Sequence, residues 1–462
     1  MKKHLKLIFS ILIIGTSLIP LLATILGYDS INLDRSSLSP MPALIKDDRI
    51  NASFTSEFDD FFTDQFSLRT MMITAYNEIY ANVFKQSGND KVIVGQQGFL
   101  FFEETLNDYL KVNLLSQHDL MRFNEVLRIQ NKYLQSKNIN GYFMIVPNKA
   151  TIYPEYMPST FNAIGQRSNL DQMSEMDLNM NYIDLTSALI EQKSVVDDEL
   201  YHRQDSHWNN IGAAIGYLEM MKSLNKESLS LLNMTLVKKA DWQGDLARML
   251  YPSKITLEQQ FYFQLPNLFT FTKAIRTFED IQIESVNTAK EGRLILFRDS
   301  FANALIPYIS ESFAQVNYDR TFPYDFNRIE GLQSDTLVIE IAERNLNWVL
   351  QATPILIAEG EKQTIVASSA VSLKITMEQQ KKSDVFYLNA RFDDQKSAEK
   401  IIAVKLISEG IAYDAFPIYQ DGDVEDDIIE YGFSIYTINQ LDLESLEIYG
   451  FMENEWIKLN NK

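Results

Sequence analysis

The sequence predicts an α/β layered sheet followed by an all-β sandwich, with a transmembrane helix at the N-terminus. Three observations carry this. Strand-length apolar runs alternate with helix-spaced segments as far as about residue 358. Beyond that point helical spacing mostly gives way to short apolar runs separated by polar turns. Before both, an uncharged stretch from Leu7 to Gly27 follows Lys2, Lys3 and Lys6. About 20 apolar residues span a bilayer as a helix, and positive charge ahead of the span keeps the N-terminus cytoplasmic. A cleaved signal peptide is the alternative, but the stretch is long for one and no A-x-A site follows it. The absence of cysteine excludes a lipoprotein anchor, disulfides and thiolate chemistry.

Taken in order, residues 28–50 are polar and punctuated by Pro40 and Pro42, and read as a linker. Residues 53–86 show helical apolar spacing. Val92–Gly95 and Gly98–Phe101 form a hairpin pattern around Gln96-Gln97-Gly98. Residues 117–137 are helical in pattern. Tyr142–Pro147 is a continuous apolar run, as a strand buried on both faces requires. Tyr182–Leu185 is a second strand, and Asn209-Asn210 opens a helix to about Leu224. Arg293–Phe297 is a strand, Ala302–Phe313 a helix, and Leu337–Ile341 a further strand. Ligands of such sheets gather beyond the carboxyl ends of the strands. Pro147-Asn148-Lys149, Arg298-Asp299-Ser300 and Ala342-Glu343-Arg344 each stand directly after a strand.

Composition narrows the function. The chain has 462 residues and a net charge of −20, from 62 acidic and 42 basic side chains. Nucleic-acid binders need a basic footprint, so no nucleic-acid partner is expected. There are four histidines. His4 lies in the N-terminal segment, leaving His118, His202 and His207 as candidate bases.

Asp205-Ser206-His207-Trp208 and Ser300 supply an acid, a base and a nucleophile, which need no cofactor. In a tight turn the Asp205 carboxylate can fold back onto the imidazole, leaving its other nitrogen for Ser300. Ser300 at a strand-to-helix junction has helix N–H groups beside it for an oxyanion; a plain N-cap explains the same residue. His202 competes with His207, and Trp208 is either a wall of the site or a loop anchor. Asp205, His207 and His202 are also conceivable metal ligands, but no spaced metal motif is present and no metal is expected. Asp421–Asp427 resembles a calcium loop only in charge and reads as a solvated acidic turn.

Together these segments resemble the DHHW family, related to the alginate O-acetyltransferases of the SGNH-hydrolase superfamily. The resemblance covers most of residues 50–350. It rests on Gly98–Phe101, Val146–Lys149, Ile152–Glu155, Asp184-Leu185, Asp205–Trp208 with Gly212-Ala213, Gly244–Ala247, Asp299–Asn303 and Glu343-Arg344. It implies an SGNH-hydrolase-like three-layer α/β/α domain with Asp205 orienting, His207 as base and Ser300 as nucleophile. The chain departs from the pattern at two places. Ser206 stands where the motif has His, and Arg298-Asp299 precede the serine where the alginate enzymes have Gly and Thr or Asn. Asn148 and Arg298 are the candidates for a further oxyanion contact.

The expected organisation is a signal anchor at 1–27, a linker at 28–50, a catalytic domain at 51–358 and a carbohydrate-binding-like β-sandwich at 359–462. Tyr387, Tyr413, Tyr419, Tyr431, Tyr436 and Trp456 are its candidate sugar platforms, and core packing accounts for them equally well. The resemblance further implies an extracellular-facing O-acetyltransferase acting on a cell-surface polysaccharide or exopolysaccharide beside a membrane-bound O-acyltransferase. A carbohydrate acetyl-esterase with the same triad and a non-catalytic glycan-binding scaffold are the alternatives.

Overall fold

A computed structural model describes residues 2–26, 28, 39–46, 48–421 and 429–461. Its centre is a seven-stranded sheet in the order Asn181–Asp184, Asn140–Val146, Thr336–Ala342, Arg293–Phe297, Gln315–Asp319, Gln282–Val286, Thr270–Phe271. The first five strands are parallel. The last two add antiparallel.

The continuous apolar runs predicted to be buried on both faces are so. Met144, Val146, Leu294 and Leu296 face one core, while Phe143, Ile145, Ile295 and Phe297 face the other, as the two-residue strand period dictates. The first core is covered by the helices Leu185–Lys193, Asn210–Ser223 and Ile306–Ser310. The second is covered by Gln117–Ser136, whose Leu120, Phe123, Leu127, Gln130 and Leu134 form a buried stripe at helical spacing. Ser116 caps that helix by accepting from Asp119 N (3.1 Å).

Two predicted helices differ from expectation. Residues 53–86 form Phe54–Gln65 and Arg69–Ile79, broken at Leu68 in the left-handed region (φ 70°), and end in a wide turn Tyr80–Phe84. The helix expected at Ala302–Phe313 is a 3₁₀ turn, Phe301–Ala304, followed by a short α-helix, Ile306–Ser310. Pro307 is the reason: it has no N–H to donate into the preceding turn and fits only at the start of a helix.

The C-terminal strands form one continuous eight-stranded sheet. The expected all-β region is present, and its two halves share a strand rather than standing apart. The strand Ile411–Asp421 pairs with Ala403–Ser408 through its first half and with Ile429–Thr437 through its second. The sheet encloses its own core, drawing Leu388 and Phe433 from one half and Leu406 and Leu459 from the other. The candidate sugar-binding aromatics are largely used in packing. Tyr419 and Tyr436 are buried, Tyr387 packs on Tyr436, Trp456 on Phe451, and Tyr431 lies under Arg122.

The C-terminal sheet packs on the helix Gln117–Ser136. Phe416, Ile418 and Tyr419 enter the second core. Arg122, 1% exposed, donates to Asp119 Oδ1 (2.5 Å), Ile401 O (2.8 Å), Ala398 O (3.2 Å) and Glu399 O. Asp414 pairs with Arg128 (3.0 Å), Lys132 (3.0 Å) and Lys405 (3.2 Å).

At the N-terminus a helix runs Lys2–Ile25. Among the described residues no helix is long and apolar enough to cross a membrane. Several side chains of Lys2–Ile25 lie outside the described residues, and the expected anchor rests on its sequence. Of the acidic turn, residues 422–427 also lie outside them.

Candidate active site

Ser300 stands beyond the carboxyl end of the strand Arg293–Phe297, and its neighbours fix the loop that carries it. Asp299 N donates to Glu340 Oε2 (2.8 Å) on the adjacent strand. The Asp299 carboxylate accepts from Phe301 N (2.8 Å) through one oxygen. Its other oxygen accepts from Ala342 N (2.8 Å) and Asn345 Nδ2 (3.2 Å). Asp299 therefore bolts the serine turn to the end of the neighbouring strand.

Asp205 and His207 lie in a loop closed by antiparallel pairing of Tyr201 with Trp208. The buried Lys149 ammonium gathers this loop, donating to the carbonyls of His202 (3.0 Å), Arg203 (3.1 Å) and Asp205 (2.5 Å). Burial lowers the Lys149 pKa to about 8 against the pull of Asp205, Asp245 and Glu258. Gly244 lets the next segment approach, since a Cβ there would stand 2.0 Å from Gln204 O. Gly212 similarly lets the helix Asn210–Ser223 dock, as a Cβ there would meet Leu200 O at 2.2 Å.

These supports bring Asp205, His207 and Ser300 into one relay. His207 Nδ1 donates to Asp205 Oδ1 (2.7 Å), and Ser300 Oγ donates to His207 Nε2 (2.8 Å). The second Asp205 oxygen accepts from Trp242 Nε1 (3.1 Å) and Asp245 N (3.0 Å). Burial opposes the Asp205 charge, but the hydrogen bond and charge of His207 outweigh it and hold the carboxyl well below its usual range. Burial also opposes charge on His207. Its hydrogen bond to Asp205, with the charges of Asp205 and Asp245, nevertheless raises the imidazole above its ordinary value.

The relay opens into a cavity of about 780 Å³. Trp208 lines it, donates Nε1–H to Phe301 O (2.9 Å) and packs edge-on against the Phe301 ring. Both readings of Trp208 thus hold, as wall and as anchor.

The other sequence candidates are placed elsewhere. Asn148 does not line this cavity among the described residues. Its N–H donates to Glu343 Oε2 (2.7 Å) and its amide to Asp108 Oδ2 (2.8 Å). Arg298 is 1% exposed, and its guanidinium donates to Asn303 Oδ1 (2.6 Å), Phe278 O (2.8 Å) and Asp280 O (2.9 Å). The expectation that either faces an oxyanion is corrected: both are struts, with their donors turned into the protein. His202 stacks on Trp242 (4.9 Å, 4°) with Nε2 against Gln260 (3.1 Å), and burial lowers its pKa to about 4. It is a neutral core histidine. His118 stands in the first turn of Gln117–Ser136 and lines no part of the cavity.

Sequence reasoning assigned no role to Asp245, Trp242 or Asn303. Asp245 sits beside the imidazole (3.7 Å) and accepts from Ser206 Oγ (2.6 Å) and Ser206 N (2.7 Å). Burial and the Asp205 charge raise its pKa. Ser206, at the position that departs from the DHHW motif, links this second acid to the loop. Asp205, His207 and Asp245 offer ligand atoms within 4.8 Å of one another. Those same atoms are spent on the relay, Trp242 and Ser206, so the donor set is satisfied by hydrogen bonds and fits a proton relay better than a metal centre.

Residues 92–267 match the sequence family described as the SGNH hydrolase-like domain of acetyltransferase AlgX. This SGNH-like segment contains Asp205 and His207 and ends before Ser300. Among solved structures, Bacillus cereus PatB1 is similar at 16% identity and TM-score 0.44, over 55% of this chain and 96% of that one. A DHHW family protein from Eubacterium siraeum is similar at 18% identity and TM-score 0.42, over 55% and 94%. Pseudomonas aeruginosa AlgX is similar at 11% identity and TM-score 0.39, over 81% and 97%. No curated protein matches the chain.

Proposed function

We propose that this chain is a serine O-acyltransferase that moves acetyl groups onto hydroxyls of an extracytoplasmic polysaccharide. The observation that carries the reading is the continuous relay from Asp205 through His207 to Ser300 at a cavity wall. The SGNH-like segment supports the acetyl chemistry at the level of the family description. The N-terminal lysines and the uncharged Leu7–Gly27 support an anchored, outward-facing body.

In the first half-reaction His207 takes the Ser300 proton as Oγ bonds to the acetyl carbonyl carbon. The donor's leaving group then departs with that proton. In the second, a sugar hydroxyl gives its proton to His207 and attacks the same carbon, and His207 passes that proton to Ser300 Oγ as the ester bond to the serine breaks. Asp205 keeps the Nδ1 proton in place and stabilises the imidazolium. The Ser300 N–H is one oxyanion donor. Asn303, which lines the cavity and whose Oδ1 is taken by Arg298, presents Nδ2 as a second. A membrane-bound O-acyltransferase is the proposed source of acetyl groups.

The purified chain, given an activated acetyl ester and oligosaccharides of different composition, tests the reading. Acetylated sugar as the main product supports it, and free acetate regardless of sugar makes the chain an esterase. A scaffold role requires no catalytic relay, and the 2.8 Å contact between His207 and Ser300 argues against it.

A further inference from the structure

The cavity beside Ser300 is larger and more apolar than an acetyl group requires. Ser300, Asn303, Ala304, Pro307 and Tyr308 all line it. Ser300, Asn303 and Ala304 belong to the serine turn and Pro307 and Tyr308 to the short helix that follows, so the lining continues along this stripe away from the nucleophile. Facing this stripe are Trp242 and Tyr262 of the paired strands Leu236–Gln243 and Leu257–Phe263, with Phe263, Leu265 and Phe278 beyond them. Phe263 meets Tyr308 edge-on at 5.9 Å.

The lining also carries Arg248, Thr277, Glu279 and Arg320; Arg248 donates to Gln243 O (2.6 Å) and Arg320 to Glu279 O (3.5 Å), and several of the uncharged polar groups are likewise occupied. Gln260 Oε1 accepts from Asn210 N (3.1 Å) and Phe261 N (2.9 Å), while Asn210 Nδ2 donates to Phe261 O (2.6 Å). Gln243 Oε1 accepts from Thr256 N (2.8 Å), while its Nε2 is buried without a hydrogen-bond partner among the described residues. Asp245 is held by Ser206. A sugar ring placed deep here would leave hydroxyls without partners, each costing free energy. A hydrocarbon chain laid along the apolar part of the lining would leave no hydroxyl unpaired and would shed its water.

We propose that this chamber receives the tail of an acyl group longer than acetyl, carried on Ser300 while the sugar acceptor approaches from the solvent side. The inference rests on the serine acyl-transfer reading above and extends its donor class. Ser300 Oγ forms the ester bond to the acyl carbon as the bond to the donor's leaving atom breaks. His207 carries the proton from Oγ to that leaving atom.

The test uses the full chain and the p-nitrophenyl esters of acetate, butanoate and hexanoate, each rate divided by its uncatalysed hydrolysis. The expected result is kcat/KM rising about fourfold for each methylene as the tail is buried. Ala304→Trp and Leu265→Trp, which fill the chamber, should each lower the hexanoate-to-acetate ratio at least tenfold. An acetate optimum in the unmodified chain, with acyl-Ser300 formed, overturns the chamber and leaves the acetyl-transfer reading standing. Absence of turnover and of acyl-Ser300 with every ester overturns both. Because the unmodified chain decides the matter, the inference stays testable even if neither variant folds.

Discussion

Two buried charge clusters in this molecule are built alike and end differently. Between the helix Gln117–Ser136 and the C-terminal sheet, Arg122 donates to one carboxylate and three carbonyls, and Asp414 is surrounded by three cations. That cluster closes on itself. At the other, Asp205 is held as firmly, by His207, Trp242 Nε1 and Asp245 N, but the chain continues through the imidazole to a hydroxyl at a cavity wall. A closed cluster welds two units. An open one delivers a proton relay to whatever occupies the cavity.

The comparison predicts different failures. Ser300→Ala removes the open end. Acyl turnover should fall by up to about a millionfold, with folding unchanged by circular dichroism. Asp205→Asn leaves the contacts in place but offers the imidazole the wrong partner, and kcat should fall by about 10⁴-fold. Arg122→Ala strands Asp119 and three carbonyls in the closed cluster. It should cost about 3–5 kcal/mol of stability in denaturant unfolding, while ester turnover per folded molecule at 25 °C stays within about twofold.

The smallest effect concerns pH. His207 must be neutral to act as base, and its pKa is raised, so kcat/KM should fall as pH drops through a value above the ordinary 6.5. Asp245→Asn removes a charge that favours the imidazolium. The apparent pKa should then move down and activity extend to lower pH. An unchanged profile would make Asp245 a purely structural support.

Much of this was legible in the sequence. The buried strands announce themselves as continuous apolar runs such as Tyr142–Pro147, and the turn at Gln97 and Gly98 takes the left-handed backbone its hairpin needs. The paired strands Leu236–Gln243 and Leu257–Phe263 escaped notice because their exposed faces carry Lys238, Lys239, Asp241 and Gln259, without an apolar alternation. The relay was legible because the chain has so few histidines. The contacts of Asp245 and Trp242 with the relay were not, since nearly forty residues separate them from Asp205; Asp245 stood out only as part of the Gly244–Ala247 segment of the family pattern. Asn148 and Arg298 were misassigned for one reason: a polar residue after a strand can point into the loop network as readily as into the crevice.

The central claim is that Ser300 is acylated. Intact mass and peptide mapping of the chain after a brief pulse of an activated acetyl ester test it most directly, with Ser300→Ala alongside. The unmodified chain should gain one acetyl mass on Ser300 that is absent from the variant and chases off with an acceptor. Turnover in both proteins at equal rates, with no label on Ser300, would contradict it.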